Sequence, residues 1–327
     1  KDKIETIYFG GGTPSILEAD LIQSIIIEIY RTFDVSDNLE LTIEANPEDI
    51  TKEKINAWSS VGINRVSLGV QSFRNKDLKY MNRVHNSDQA IYAIEMLLAS
   101  PISNLNVDLI YGLPDLPDDE WTRNINYLVD FNINHISCYS LTVEKNTPLF
   151  HLIKKGKYAK IKSDHAKSQF LIARKQLVNN GYQHYEISNF SKPDFKSKHN
   201  FNYWNKTSYL GIGPSAHSYN GKSRQWNVNN NTTYCNNIEK SQVFYQKENL
   251  TRKNIINERI LTNLRTSDGL LVTTCRGSMT QSEFKNFNFA INKMKKKLLI
   301  TEEKNTLFLT ESGMLLADDI ASQLFLI

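Results

Sequence analysis

Apolar runs that alternate with period two recur along this chain and are separated by stretches with helical spacing. Strands are predicted near Ile4–Phe9, Leu39–Ile43, Arg65–Val70, Leu105–Ile110, His135–Leu141 and Tyr185–Ile187. Between them, Leu21, Ile25 and Ile29 with Ile22 and Ile26 keep one helical face, and Asn86-Ser87-Asp88 can cap a helix over Ala90–Leu98. The acids Asp118, Asp119 and Glu120 suit the start of a helix over Trp121–Val129, and Gly181 suits the stop of one over Asp164–Val178. Strand and helix in regular alternation predict βαβ units and an α/β fold with a parallel sheet. The pattern does not decide between a sheet covered on both faces and one closing into a barrel.

The pattern changes after residue 220. The Asn-rich stretch Asn227–Asn237 reads as polar linker or crossing chain within 221–253, and a second, mostly helical unit follows over 254–327. There, Ile256–Leu264 and Phe284–Leu299 read as helices, Ile300–Leu309 as a hairpin turning at Lys304-Asn305, and Gly313–Leu326 as a further helix. This is the order of a winged-helix-like domain. Lys293, Lys295, Lys296 and Lys297 make a basic helix face, read here as solvated, and the tail is taken as a lid or docking element.

Composition narrows the function classes. Thirty-nine basic against 35 acidic residues leave a net charge of +4 over 327 residues, too little for a duplex nucleic-acid surface. Cys138, Cys235 and Cys275 are odd in number and widely spaced, which fits neither a disulfide framework nor a CxxC-type metal site and suits a reducing cytoplasm. No apolar run reaches the ~20 residues of a membrane span. Lys1–Glu5 leads straight into the first predicted strand, so the sequence reads as a fragment whose upstream segment is missing.

Candidate chemistry collects at strand ends. Gly10-Gly11-Gly12-Thr13-Pro14 follows the first strand, and glycines there let backbone N–H groups approach a ligand. No Lys follows at P-loop spacing, and alone the triplet also reads as a tight strand-to-helix turn. However, Glu44, Gln71 and Asp108 end the next three strands in EANPE, GVQSF and VDLIYGLP, and the C-terminal strand edge of a parallel α/β fold is where ligands bind.

In this order GGGTP, EANPE, GVQSF, the Arg83-Val84-His85 step and VDLIYGLP resemble the radical S-adenosylmethionine family of heme chaperones and oxygen-independent coproporphyrinogen III oxidases. The resemblance covers roughly residues 4–220. It implies a partial (β/α) barrel over 1–220, with S-adenosylmethionine held by Gly11, Gly12, Thr13, Glu44, Gln71, Arg83 and Asp108. It also implies a CxxxCxxC loop carrying a [4Fe–4S] cluster. That motif is not in this sequence, and the expected place for it is upstream of Lys1.

A second set of residues runs from His184 in HYEISNF through His199, Tyr203 and Trp204 in HNFNYW to His217. Flat rings that stack beside imidazoles that ligate iron suit heme, and equally suit an ordinary aromatic core. HNFNYW is similar to the HNxxYW motif of the chaperone branch, which implies His199 as the first heme-iron ligand candidate with Tyr203 and Trp204 beside it, and His184 and His217 behind it. The expectation is therefore a cytoplasmic heme chaperone with a heme-acceptor partner, no nucleic-acid partner, and a homodimer among its assemblies. The alternatives are a coproporphyrinogen III oxidase sharing the same S-adenosylmethionine pocket and a cluster-free binding or scaffold protein.

Overall fold

The computed structural model describes residues 3–145, 147–159 and 163–327. Lys1 and Asp2, which open the stretch read as leading into the first strand, lie outside them. The chain forms two compact units, Lys1–His199 and Asn200–Ile327.

Among the described residues the first unit carries seven strands: β1 (Ile4–Phe9), β2 (Val35–Ala45), β3 (Arg65–Gln71), β4 (Asn104–Tyr111), β5 (His135–Ser140), β6 (Gln183–Glu186) and β7 (Asn189–Ser191). Their order in one sheet is β1-β2-β3-β4-β5-β7-β6, with β1 to β5 parallel and β7 antiparallel to β5. Each parallel strand is added beside its predecessor on the same side. This single sense of winding curls the sheet into a half-barrel, settling what the hydrophobic pattern left open. The helices between are α1 (Ala19–Thr32), α2 (Lys52–Ser60), α3 (Asn75–Tyr80), α4 (Ser87–Leu98), α5 (Asp118–Asp130), α6 (Pro148–Lys154) and α7 (Ser163–Asn179).

Period-two alternation separates the two faces of the sheet. Leu41, Ile43, Val66, Leu68, Val70, Leu105, Val107, Leu109, Ile136 and Cys138 are buried and form the apolar core with the helices. Their alternates Ser67, Asn106, Asp108, His135 and Ser137 hydrogen-bond to one another and line the concave side. A polar barrel interior is therefore built into the strand sequences. The helix ends follow their local chemistry: Asn86 and Gln89 close a reciprocal capping box at the start of α4, worth about 1 kcal/mol.

The second unit begins within α8 (Lys198–Trp204), so residues 200–220 group with it rather than with the barrel to which the sequence assigned them. The stretch 221–253 is not a linker. It supplies β9 (Ser223–Asn227), α9 (Asn231–Glu239) and β10 (Tyr245–Asn249), which with β8 (His217–Tyr219) make a three-stranded antiparallel sheet. Its asparagines work as caps and ties: Asn230 caps α9, and the buried Asn227 donates through Nδ2 to the carbonyls of Gly211 and Gly213.

Beyond it, α10 (Arg252–Leu264), β11 (Leu270–Leu271), α11 (Val272–Arg276) and α12 (Gln281–Lys296) precede the hairpin of β12 (Ile300–Glu303) and β13 (Thr306–Leu309). Lys304 and Asn305 turn that hairpin with positive φ of 48° and 65°, as a two-residue turn requires. The last predicted helix is two, α13 (Glu311–Met314) and α14 (Ala317–Gln323).

Candidate functional site

The C-terminal edge of β1 to β3 carries the glycine turn, Glu44 and Gln71, whereas Asp108 lies inside β4, three residues before its end at Tyr111, and not at a strand end as the sequence suggested. Glu44, one residue before the end of β2, ties Tyr8 of β1 to the glycine turn: Oε1 accepts from the Tyr8 hydroxyl at 2.8 Å, and Oε2 from the Gly11 amide at 3.2 Å. Gly10 must be glycine for this to hold, since a Cβ there would lie 2.6 Å from Tyr8 Cε1 and 3.0 Å from Glu44 Oε1. Gly11 and Gly12 are exposed with φ of +77° and +108°, presenting backbone to solvent at the rim. Thr13 accepts from the Ile16 amide through its carbonyl in the short turn that follows. That turn is tied to the next loop by the Ser15 hydroxyl on Asp49 at 2.6 Å.

Gln71 ends β3 with φ of +69°, a conformation an L-residue adopts at a cost. The absent side chain of Gly69 makes room for its amide, because a Cβ there would sit 2.8 Å from Gln71 Nε2. Asp108 on β4 is held by Asn106 at 2.8 Å and Ser67 at 3.5 Å, and burial pushes its carboxyl above the usual range. Arg83 makes no hydrogen bond through its guanidinium among the described residues. Burial lowers its pKa, while Glu48 and Asp108 oppose that shift by their charge. Its loop is fixed by His85, whose Nδ1 meets Glu48 Oε2 at 3.0 Å and whose Nε2 meets the Val70 carbonyl at 3.0 Å.

The sequence reading singled out Glu44 and Asp108 but gave no role to the residues around them: Tyr8 and Asn106, which hydrogen-bond to these acids, and Glu48 and His85, which stood only within the EANPE motif and the Arg83-Val84-His85 step and pair beside Arg83. A signal was available for two of these. Tyr8 and Asn106 keep the two-residue alternation with the polar interior set, whereas the pairing of His85 with Glu48 needs the fold.

The heme candidates fall into separate surroundings. His199 opens onto β1, with Nδ1 2.8 Å from Thr6 Oγ1, its ring stacked on Tyr8 at 4.7 Å between centroids, and its backbone amide donating to Glu40 at 2.9 Å. Burial, the larger influence, lowers its pKa to about 4. His184 stacks on Phe190 at 4.1 Å, and both ring nitrogens are committed, Nδ1 accepting from Arg174 and Nε2 donating to the Ile187 carbonyl. A ring so engaged has no lone pair left for iron. In the second unit, Tyr203 is exposed and meets Tyr209 edge-on, Trp204 lies under the Arg265 guanidinium at 5.2 Å, and His217 is exposed near Trp226.

The rim fits S-adenosylmethionine. Exposed glycine backbone faces outward beside a carboxylate whose oxygens each retain a lone pair, and Arg83 offers a planar fork for a carboxylate. A [4Fe–4S] cluster does not fit the residues present. No three His, Cys, Asp or Glu side chains among the described residues lie together as a metal needs. Cys138 is buried in the first unit, Cys275 is buried in the second, and Cys235 is exposed.

A parallel half-barrel with its ligand groups at the C-terminal strand edge is the architecture of radical S-adenosylmethionine proteins, and the model of the Radical SAM superfamily matches residues 1–128. The chain is 30% identical to heme chaperone HemW of Lactococcus lactis over 99% of its length and 86% of that protein, and 30% identical to heme chaperone HemW of Bacillus subtilis over 97% and 84%. The chain belongs to this HemW family of the radical SAM superfamily. Among solved structures, coproporphyrinogen III oxidase (HemN) of Escherichia coli, a radical SAM enzyme, superposes with a TM-score of 0.81 over 99% of this chain and 78% of its own. At 20% identity that likeness speaks for the fold alone.

Proposed function

We propose that this protein is a heme chaperone, which binds heme and hands it to an acceptor protein. The observation that carries the reading is the 30% identity to HemW over nearly the whole chain, a span that includes the HNFNYW segment. His199 is the first candidate to ligate heme; Tyr203, Trp204 and His217 are the further heme candidates, each to be tested on its own. His184 is set aside by its two engaged nitrogens.

S-adenosylmethionine would occupy the rim. Gly11 and Gly12 would hold its amino-acid end through backbone groups beside Thr13, Glu44 would accept from ribose hydroxyls, and Arg83 would pair with its carboxylate, with Gln71 and Asp108 closing the pocket. When bound, it would supply a sulfonium centre. Family membership further implies a [4Fe–4S] cluster, for which the described residues provide no ligand set. Three free cysteines accord with a cytoplasmic site of action; among the described residues no helix is long and apolar enough to cross a membrane.

The test is transfer. Protein loaded with one equivalent of heme is mixed with apomyoglobin, used as a generic acceptor, and the myoglobin Soret band is followed. Stoichiometric loading followed by transfer supports the reading; failure to load heme at micromolar concentration refutes it.

A further inference from the structure

The floor of the half-barrel holds a cation that no carboxylate among the described residues pairs with. Arg65 opens β3 and is 1% exposed, one of the largest fully buried side chains of the protein. In the parallel register it is flanked by Thr42 on β2 and Asn104 on β4. Arg65 Nε and Nη2, Thr42 Oγ1 and Asn104 Oδ1 are all buried without a hydrogen-bond partner among the described residues. Register partners share a face, so three adjacent strands bring four unsatisfied polar atoms into one row.

The acids of this face, Glu40, Glu44 and the part-buried Asp108, have hydrogen-bond partners other than Arg65. Asp108 accepts from Asn106 and Ser67, and Glu40 accepts from the Ser197 hydroxyl and the amides of Lys198 and His199. His135 does not compensate the charge. Burial holds it neutral, and its ring nitrogens are taken by Asn106 and Tyr185 at 2.6 Å each. A buried guanidinium left unpaired is among the costliest arrangements a core can contain, and a water would satisfy its N–H groups without balancing its charge.

We propose that this floor is an anion site, in which Arg65 binds a small carboxylate through Nε–H and Nη2–H. Those two groups lie side by side on one edge of the guanidinium, and their parallel N–H bonds match the two oxygens of a carboxylate. Thr42 supplies a hydroxyl donor beside them. Asn104 supplies a second donor once its amide is flipped, an assignment that heavy-atom positions alone do not fix. The ligand class is a planar oxyanion of formate to acetate size. The site lies at the start of β3, whereas the residues proposed for S-adenosylmethionine lie at or beyond the strand ends apart from Asp108, which sits inside β4, so it does not depend on the heme reading.

The probe is sodium formate, with sodium chloride at equal ionic strength as reference, on the full 327-residue chain. Formate should raise the melting temperature saturably, by about 3 °C at roughly tenfold excess over its Kd. It should also give a saturation-transfer NMR signal, and Arg65→Lys, which keeps the charge and loses the fork, should weaken both by about tenfold. A formate response equal to that of chloride overturns the proposal, as does one unchanged in Arg65→Lys. Should that variant not fold, the wild-type comparison stands alone, and a crystal structure grown in formate with only water on Nε and Nη2 likewise overturns it.

Discussion

His199 lies almost flat on Tyr8, ring centroids 4.7 Å apart and planes 18° from parallel, and the same Tyr8 donates its hydroxyl to Glu44. One tyrosine thus touches both the histidine proposed to ligate heme and the acid proposed to contact S-adenosylmethionine. Tyr8→Phe keeps the stack and removes the hydroxyl. It is expected to leave heme affinity within about twofold while weakening S-adenosylmethionine binding, as loss of a hydrogen bond to a carboxylate costs about 1.5–3 kcal/mol. Parallel titrations with the two ligands check the split.

Gly10 and Tyr8 are in contact across the turn. A Cβ at residue 10 would push into the Tyr8 ring, so Gly10→Ala should displace it from Glu44 and destabilise the first unit by about 1–3 kcal/mol. Urea unfolding followed by fluorescence measures this. An unchanged midpoint would mean that the turn moves freely away from Glu44.

Gln71 should show opposite effects on stability and binding. Its φ of +69° is relieved by glycine, so Gln71→Gly is expected to raise or hold the unfolding midpoint, while the lost amide lowers S-adenosylmethionine affinity about tenfold. A variant that is both less stable and unaltered in binding would show that Gln71 serves packing alone.

Mild acid should weaken the fold above the range in which ordinary carboxylates titrate. Burial lowers the pKa of His184 and of His199 to about 4, against about 6.5 for an unfolded histidine. Between those values the unfolded chain binds more protons than the folded one, so this contribution to stability is full above about pH 6.5 and declines as pH falls toward about 4. Urea midpoints at about pH 7.5 and 5.0 should differ, and His184→Gln should flatten the difference.

Much of the first unit was legible because its strands obey simple rules. Leu41 and Ile43 on β2, Val66, Leu68 and Val70 on β3, and Leu105, Val107 and Leu109 on β4 recur at every second position, and that period alone marks a strand with one apolar face. The Asn86 cap is equally local, set by the chemistry of four consecutive residues. Glu44 and Gln71 were likewise visible as polar residues where parallel strands stop, whereas Asp108 belongs to the polar interior of β4 rather than to its end. What escaped was non-local. Asparagines of 221–253 looked like linker because composition does not reveal that Asn227 ties two carbonyls, and β7 is three residues long, too short for a period to register. The pairing of His85 with Glu48 joins residues on different loops, and the burial of Arg65 at the start of β3 depends on neighbouring strands that the local pattern does not reveal.

The most direct measurement is a heme titration of the protein run beside an assay of coproporphyrinogen III decarboxylation, with His199→Ala in both. The account predicts stoichiometric heme binding with an altered Soret band in His199→Ala and no decarboxylation. Decarboxylation of coproporphyrinogen III, or the absence of heme binding, would contradict it.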